Sequence, residues 1–304
     1  MYKVTVFTPT FNRVHTLVRL YNSLLLQTNK NFEWVVVDDG STDGTSEFFF
    51  ELENHSHIEI KYFRVNNGGK HRAINYGLDR AEGEYFFIVD SDDYLTADCI
   101  ERIIFWINSL ASETEYMFSG VCGLKGYDNE RMVGRTFDGS YIDCLPLDRH
   151  SHNIVGDKSE VYRTEILRQY RFPEIEGEKF LTEAVVWNRI SYDGYLIRYY
   201  NEINYICEYR EDGLTKNIDR LLCENFNGYS LYVKELLGFK KMKRMSTLRV
   251  IMAYGYRGRI KGYSYTLLSN NIKKSWLQVV ILSSFGSIYM YLKKLLNRRK
   301  DVLS

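Results

Sequence analysis

Three prolines in 304 residues exclude long proline-rich linkers. The five cysteines, Cys99, Cys122, Cys144, Cys207 and Cys223, are odd in number, widely spaced and form no Cys-x-x-Cys pair. Zinc ribbons and redox motifs are therefore unsupported, and reduced thiols are expected. The six histidines are not spaced as a metal site. No Gly-x-Gly-x-x-Gly follows the first β-like run and no Gly-Lys-Ser/Thr loop occurs, so the usual marks of a nicotinamide enzyme and of a phosphate loop are missing. The first residues reach Pro9 at once, without the apolar core or cleavage site of a signal peptide. Acid is scarce at the other end: from Lys240 onward fifteen Lys and Arg face a single acid, Asp301. A net charge of +1 thus hides a first stretch of 239 residues near −13 and a basic region suited to an anionic partner.

What the chain does have is ordinary for a folded globular protein, 45% hydrophobic and 26% charged residues, with aromatics raised by 25 Tyr and 17 Phe. The length suits one large domain or a domain with an appendage. Apolar runs at Val4–Thr8, Phe32–Val37, Ile58–Phe63 and Tyr85–Val89 read as strands. Helical spacing lies between them: Val14, Leu17, Val18, Tyr21, Leu24 and Leu25, then Thr42–Leu52, then a segment through Leu78, then Thr96–Asn108. Such alternation predicts βαβ units whose right-handed crossovers bring the strand ends to one edge.

Three polar clusters would converge there, Thr8–Arg13, Asp38–Ser41 and Asp90–Asp93, with Asn67–Arg72 nearby. In open α/β sheets ligands bind beyond the carboxyl ends of the strands. The run Tyr85–Val89 ends abruptly in Asp90, Ser91, Asp92 and Asp93. Three acids there repel one another unless a cation sits between them, and Mg²⁺ or Mn²⁺ suits one or two carboxylates plus substrate phosphates. The plainer alternative is a solvated loop with helix-capping acids.

Four segments, FTPTFNR, SLLLQTNKNFEWVVVDDGSTDGT, GGKHRAINYGL and GEYFFIVDSDDYLTAD, occur in an order and spacing that resemble the nucleotide-binding half of a family 2 glycosyltransferase with the GT-A fold. The resemblance covers the first 110 residues. It implies a Rossmann-like mixed α/β sheet flanked by helices, a UDP-sugar donor and a divalent ion. By it, Thr8, Pro9 and Thr10 line the base and ribose pocket, with Arg13 and Asn67 alongside. Asp39 contacts uracil, and Lys70 and Arg72 sit near the nucleotide. Asp90, Ser91 and Asp92 form the Asp-x-Asp element, with Asp92 the direct metal ligand and Asp90 the second. An Asp39 carboxylate accepts the imide N–H of uracil, which adenine does not offer in the same place; a turn-forming Asp is the alternative.

Residues 111–216 are expected to form the acceptor-side half, with a strand at Tyr116–Cys122, a hairpin with loops over 123–150 and a helix over Phe180–Ile190. Many members of the resembled family carry a Glu-Asp pair at such a helix start, one of them the catalytic base, with an Arg downstream. Here the pair reads Glu183-Ala184, with Arg189 following. Glu183 is the choice for the base, with Glu178 and Asp157 as alternatives. The loop Tyr209–Thr215 resembles one near the diphosphate, where Arg210 would help hold phosphates.

Residues 217–304 are expected to be a helical, basic extension. Trp276–Leu292 carries no charge between Lys273-Lys274 and Lys293-Lys294, yet barely reaches spanning length. A helix lying on an anionic membrane surface fits better; packing on the catalytic domain or on a dimer partner, and spanning, are the alternatives. The aromatic content of the tail favours lipid over nucleic acid. The expectation is an inverting, metal-dependent transferase at the cytoplasmic face of the membrane. It would act on a glycan or lipid-linked acceptor in capsule or cell-surface polysaccharide synthesis. A nucleotidyltransferase and a non-catalytic sugar-nucleotide-binding module are the competitors.

Overall fold

The computed structural model describes residues 2–53, 56–110, 114–208, 217–239 and 244–286. Contacts divide the chain into two compact units, Met1–Glu174 with Val186–Arg210, and Ile175–Val185 with Glu211–Ser304.

The first unit begins β1 (Val4–Thr10), α1 (Val14–Leu25), β2 (Phe32–Asp38), α2 (Thr45–Glu53), β3 (Ile60–Arg64), α3 (Lys70–Leu78) and β4 (Tyr85–Ile88). It continues with β5 (Tyr94–Leu95), α4 (Cys99–Asn108), β6 (Phe118–Gly126), β7 (Tyr141–Cys144), β8 (Lys158–Arg163) and α5 (Thr164–Gln169). Last come α6 (Ala184–Tyr192), whose first two residues belong to the second unit, and β9 (Leu196–Ile206). The strands form one mixed sheet in the order β3-β2-β1-β4-β8-β6-β9-β5, with β7 on β9.

Strands β1 and β2 are buried along their whole length, as strands covered on both faces should be. Leu17, Leu20 and Leu24 give α1 an inward stripe that joins Val4, Val6, Trp34 and Val36 in the main core. The helix expected at Thr42 begins only at Thr45 because Asp43 binds the Thr45 hydroxyl (2.6 Å) and the Val14 N–H (2.9 Å), tying the start of α1 to the turn before α2.

Strands β1, β2, β3 and β4 are parallel, β8 runs antiparallel to β4, and β6 returns antiparallel to β8. So β6 runs in the direction of β4, and β9, parallel to β6, does too. The carboxyl ends of β1, β2, β4, β6 and β9 therefore share one edge. Gly120 of β6 makes the β6–β8 approach possible: a Cβ there would sit 1.9 Å from the Val161 carbonyl oxygen. In the segment 123–150 a short hairpin does form, with Gly126 bridged antiparallel to Met132, Tyr127 N–H donating to the Arg131 carbonyl and Val133 N–H to the Lys125 carbonyl, while β7 pairs with β9.

The second unit contains α7 (Ile218–Glu224), α8 (Phe226–Gly238), α9 (Arg244–Ile260), α10 (Tyr265–Ile272) and a helical run over residues 276–286. Its core gathers Phe226, Tyr229, Val233, Ile251, Tyr254, Leu268, Ile272 and Val279, with Phe226 stacked on Tyr254 and Tyr263. The run 276–286 lies against α9 through small residues: a Cβ on Gly255 would meet Ser283 Oγ at 1.7 Å, and one on Gly286 the Met252 carbonyl at 2.5 Å. Trp276, Leu277, Ile281 and Phe285 are left exposed. No helix among the described residues is long and apolar enough to cross a membrane. The rest of the expected apolar run, beyond residue 286, lies outside the described residues, as does Arg210.

Candidate functional site

The shared edge carries the expected residues of the amino-terminal half. β2 ends at Asp38, whose carboxylate accepts from the Ser41 N–H (2.8 Å) and the Tyr62 hydroxyl (2.7 Å). Asp39 follows, 6% exposed. Its carboxylate accepts from Gly68 N–H at 2.6 Å, Gly69 N–H at 2.8 Å and Asn67 Nδ2 at 3.0 Å, so it closes the turn that leads into α3. Gly69 takes φ 96°, a left-handed conformation that only glycine adopts at little cost. The turn delivers Lys70 and Arg72: Lys70 Nζ lies 2.6 Å from Asp90 Oδ1, and Arg72 donates to the Gly68 carbonyl (2.6 Å). A carboxylate offers about four acceptor positions, and Asp39 gives three of them to this turn. Beside it, Gly40, Arg64, Val65, Asn66 and Asn67 line a cleft of about 660 Å³.

The three β1 residues differ in what they present. The Thr8 hydroxyl accepts from Trp34 Nε1 at 3.0 Å and is fully buried, so its side chain serves the core. Pro9 is buried on the strand, and Thr10 Oγ1 is buried without a hydrogen-bond partner among the described residues. Asn12 and Ser41 tie the β1 and β2 turns together: Asn12 N–H donates to Ser41 Oγ and Thr42 N–H to Asn12 Oδ1, both at 2.8 Å. Arg13 is close enough for its charge to favour ionised Asp92.

The acids after β4 are not equivalent. Asp93 is buried and fully engaged: Tyr205 Oη donates to Oδ2 at 2.6 Å, Glu208 N–H to Oδ1 at 3.0 Å, and Lys125 Nζ lies 4.0 Å away. Burial, outweighing the Lys125 charge, pushes its pKa up to about 7. Burial would raise Asp90 as well, but Lys70 and Lys125 hold it below its usual value. Asp92 is raised by burial and then by the Asp90 charge. The repulsion expected among three acids is thus largely met by two lysines, one of which, Lys125, was not foreseen. The expected metal pair, Asp92 and Asp90, is thus set apart from the engaged Asp93, and Asp90 is paired with Lys70.

A divalent cation fits this arrangement in a limited way. Among the described residues no group of three or more His, Cys, Asp or Glu could hold a metal alone. Apart from its own N–H, no described residue donates to the Asp92 carboxylate, which a cation would relieve of the Asp90 charge. One or two carboxylates completed by phosphate oxygens is a usual setting for Mg²⁺.

Lys125 and Tyr205 escaped sequence reasoning because they lie 80 residues apart, on β6 and β9, and no motif links them. Among the expected bases, Glu183 stands immediately before α6, in the second unit. Glu178 is committed to structure there: its two oxygens accept from Asn227 and Gly228 N–H, each at 2.7 Å, and cap α8. Asp157 is exposed at the start of β8.

Comparison with known proteins agrees with this architecture. The family model described as Glycosyl transferase family 2 matches residues 5–171. The poly(ribitol-phosphate) beta-N-acetylglucosaminyltransferase TarS of Staphylococcus aureus is 35% identical over 200 residues, 63% of this chain and 34% of that protein. Glycosyltransferase GlyA of Streptococcus pneumoniae is 29% identical over 186 residues, 56% of this chain and 26% of that protein. The chain spans about a quarter to a third of the length of these curated relatives. Among solved structures, S. aureus TarS 1-349 in complex with UDP-GlcNAc superposes with a TM-score of 0.58 at 23% identity, over 87% of this chain and 74% of that one. The mannosyltransferase PcManGT of Pyrobaculum calidifontis, in complex with GDP-Man and Mn2+, gives 0.55 at 16% identity, over 95% and 81%. The fold is GT-A, with a helical C-terminal extension.

Proposed function

The chain belongs to glycosyl transferase family 2, and on that premise we propose that it moves a sugar from a UDP-sugar to a hydroxyl of a glycan or lipid-linked acceptor in cell-surface polysaccharide assembly. The observation that carries the reading is the meeting, at one sheet edge, of the Asp39-closed turn, Lys70 and the Asp90–Asp92 acids. The relative named as a beta-N-acetylglucosaminyltransferase and its structures with UDP-GlcNAc and UDP support a uridine donor.

In this reading Asp39 receives the uracil N–H, the hydroxyl of Thr10 gains its missing partner, and the β1 main chain at Thr8 and Pro9 borders the ribose. Asn67, Arg13 and Ser91 border the same pocket. Lys70, drawn from Asp90, and Arg72 face the diphosphate. Asp92, with Asp90, would hold Mn²⁺ or Mg²⁺, which neutralises the charge that the departing UDP develops. Glu183 takes the acceptor proton as the hydroxyl attacks the anomeric carbon. A single displacement inverts that carbon, so an α-linked donor gives a β-linked product. The exposed apolar row of residues 276–286 and Lys273-Lys274 beside it would keep the enzyme on the inner face of an anionic membrane, near a lipid-linked acceptor.

The test is incubation of the protein with isotope-labelled UDP-sugars and Mn²⁺. Release of UDP is expected. Pyrophosphate formed instead from UTP and a sugar 1-phosphate would make it a nucleotidyltransferase, and binding without turnover, with acceptors supplied, a non-catalytic module.

A further inference from the structure

The acids that face the donor sit on a short turn between β4 and β5, and that turn is fastened from two other elements. From β9, the buried Tyr205 places its hydroxyl between the two ends of the turn: it accepts from Asp90 N–H at 3.0 Å and donates to Asp93 Oδ2 at 2.6 Å. The ring is fixed edge-on to Phe87 and beneath Lys125 Nζ, 3.9 Å from the centroid. Two residues past β9, Glu208 N–H donates to Asp93 Oδ1, and β5 pairs with Tyr205 and Ile206. From α1, Arg19 donates to the Asp92 carbonyl at 2.6 Å and pairs with the Glu208 carboxylate at 2.8 Å, its guanidinium lying over the Tyr94 ring.

We propose that Tyr205 and Arg19 are positioning residues for the donor diphosphate: together they hold the Asp90–Asp93 turn so that Asp92 faces the phosphates. The inference rests on the donor reading above. Neither residue need touch the nucleotide. Their hydrogen bonds fix the main chain on both sides of Asp92, at the Asp90 amide and at the Asp92 carbonyl. Removing the Tyr205 hydroxyl leaves the half-buried Asp90 amide and a buried Asp93 oxygen each short of a partner, and the turn must move to recover them. A displacement of about 1 Å at such a point costs up to about a hundredfold in rate. The base and ribose pocket, built on the β1 and β2 turns and on residues 67–69, has its own hydrogen bonds and does not depend on either residue.

The experiment compares the wild type with Tyr205→Phe and Arg19→Gln, each checked by its melting curve. Dissociation constants are measured for UDP in Mn²⁺ and for uridine, which has no phosphates. Both variants are expected to bind UDP about tenfold or more weakly while uridine stays within about twofold, and to raise KM as well as lower kcat. A merely structural role would lower melting temperature and weaken both ligands in parallel, and that result overturns the proposal. So does wild-type affinity for UDP in both variants. If Tyr205→Phe fails to fold, Arg19→Gln, half-exposed in the wild type, decides by the same ratio. A wild type that binds no uridine nucleotide sinks the donor reading and the positioning role with it; a wild type that binds UDP beside unaltered variants sinks the positioning role alone.

Discussion

Asp93 has both carboxylate oxygens occupied by the protein, while its neighbour Asp92 accepts only its own N–H. Substituting Asp92 should therefore remove function and spare the fold. Asp92→Asn is expected to lower turnover by about 10²–10³-fold, as for loss of a group that stabilises developing charge, with the melting temperature unchanged; retention of wild-type turnover would remove Asp92 from the metal. For the base, Glu183→Gln keeps shape and removes only the proton acceptor. A loss of about 10²–10⁴-fold in kcat with donor affinity unchanged is expected, read beside Asp157→Asn as the comparison. At this scale the sequence was readable where a residue acts through its own turn. Asp39, Lys70 and Asp92 all sit within short motifs. Thr8 was less so: its hydroxyl meets Trp34 as a diagonal neighbour on the same face of the sheet, a contact set by the register of β1 against β2, which strand alternation alone does not give.

Elements one to four of the sheet follow from local pattern, because each apolar run ends in its own polar turn and the next helix brings the chain back. β6, β8 and β9 do not, since their partners lie 30 to 80 residues away and only the pairing of the sheet decides which side chains meet at its edge. The segment before α6 is similar. Nothing local in Glu176–Phe180 marks Glu178 as the cap of a helix that starts some fifty residues later, yet its carboxylate supplies acceptors to two of the four unpaired N–H groups at the start of α8. Glu178→Ala is expected to lower stability by about 1–3 kcal/mol through those two hydrogen bonds, one of them fully buried. Chemical denaturation followed by far-UV circular dichroism measures it, and an unchanged midpoint would return Glu178 to the list of candidate bases.

For the whole molecule, acid and lipid are the informative conditions. His71 is buried at the start of α3 with Nδ1 unpartnered among the described residues, and burial, then the Arg72 charge, lowers its pKa from 6.5 to about 4. Between those values the unfolded chain binds more protons than the folded one, so stability is full above pH 6.5 and falls as pH drops toward 4. The loss should reach about 1–3 kcal/mol, and His71→Gln should flatten the melting temperature over that range; an equally steep acid fall in the variant would assign it to other groups. Membrane attachment is tested by flotation with anionic liposomes at low salt. Binding that is released by high salt is expected, since each Lys or Arg near such a surface contributes on the order of 1 kcal/mol. Full-length protein that ignores the liposomes would favour packing of the tail instead.

The placement of the four tryptophans gives the protein an optical asymmetry. Trp34 and Trp106 are wholly enclosed, Trp187 stacks on Tyr162 at 4.2 Å, and Trp276 is 52% open to solvent on the outer side of the last described helix. Red-edge emission and quenching by iodide should therefore come mostly from Trp276, with a smaller share from the half-buried Trp187. Whatever covers that helix, acyl chains or a second protein, announces itself as a blue shift and a shielded fraction in an unlabelled sample.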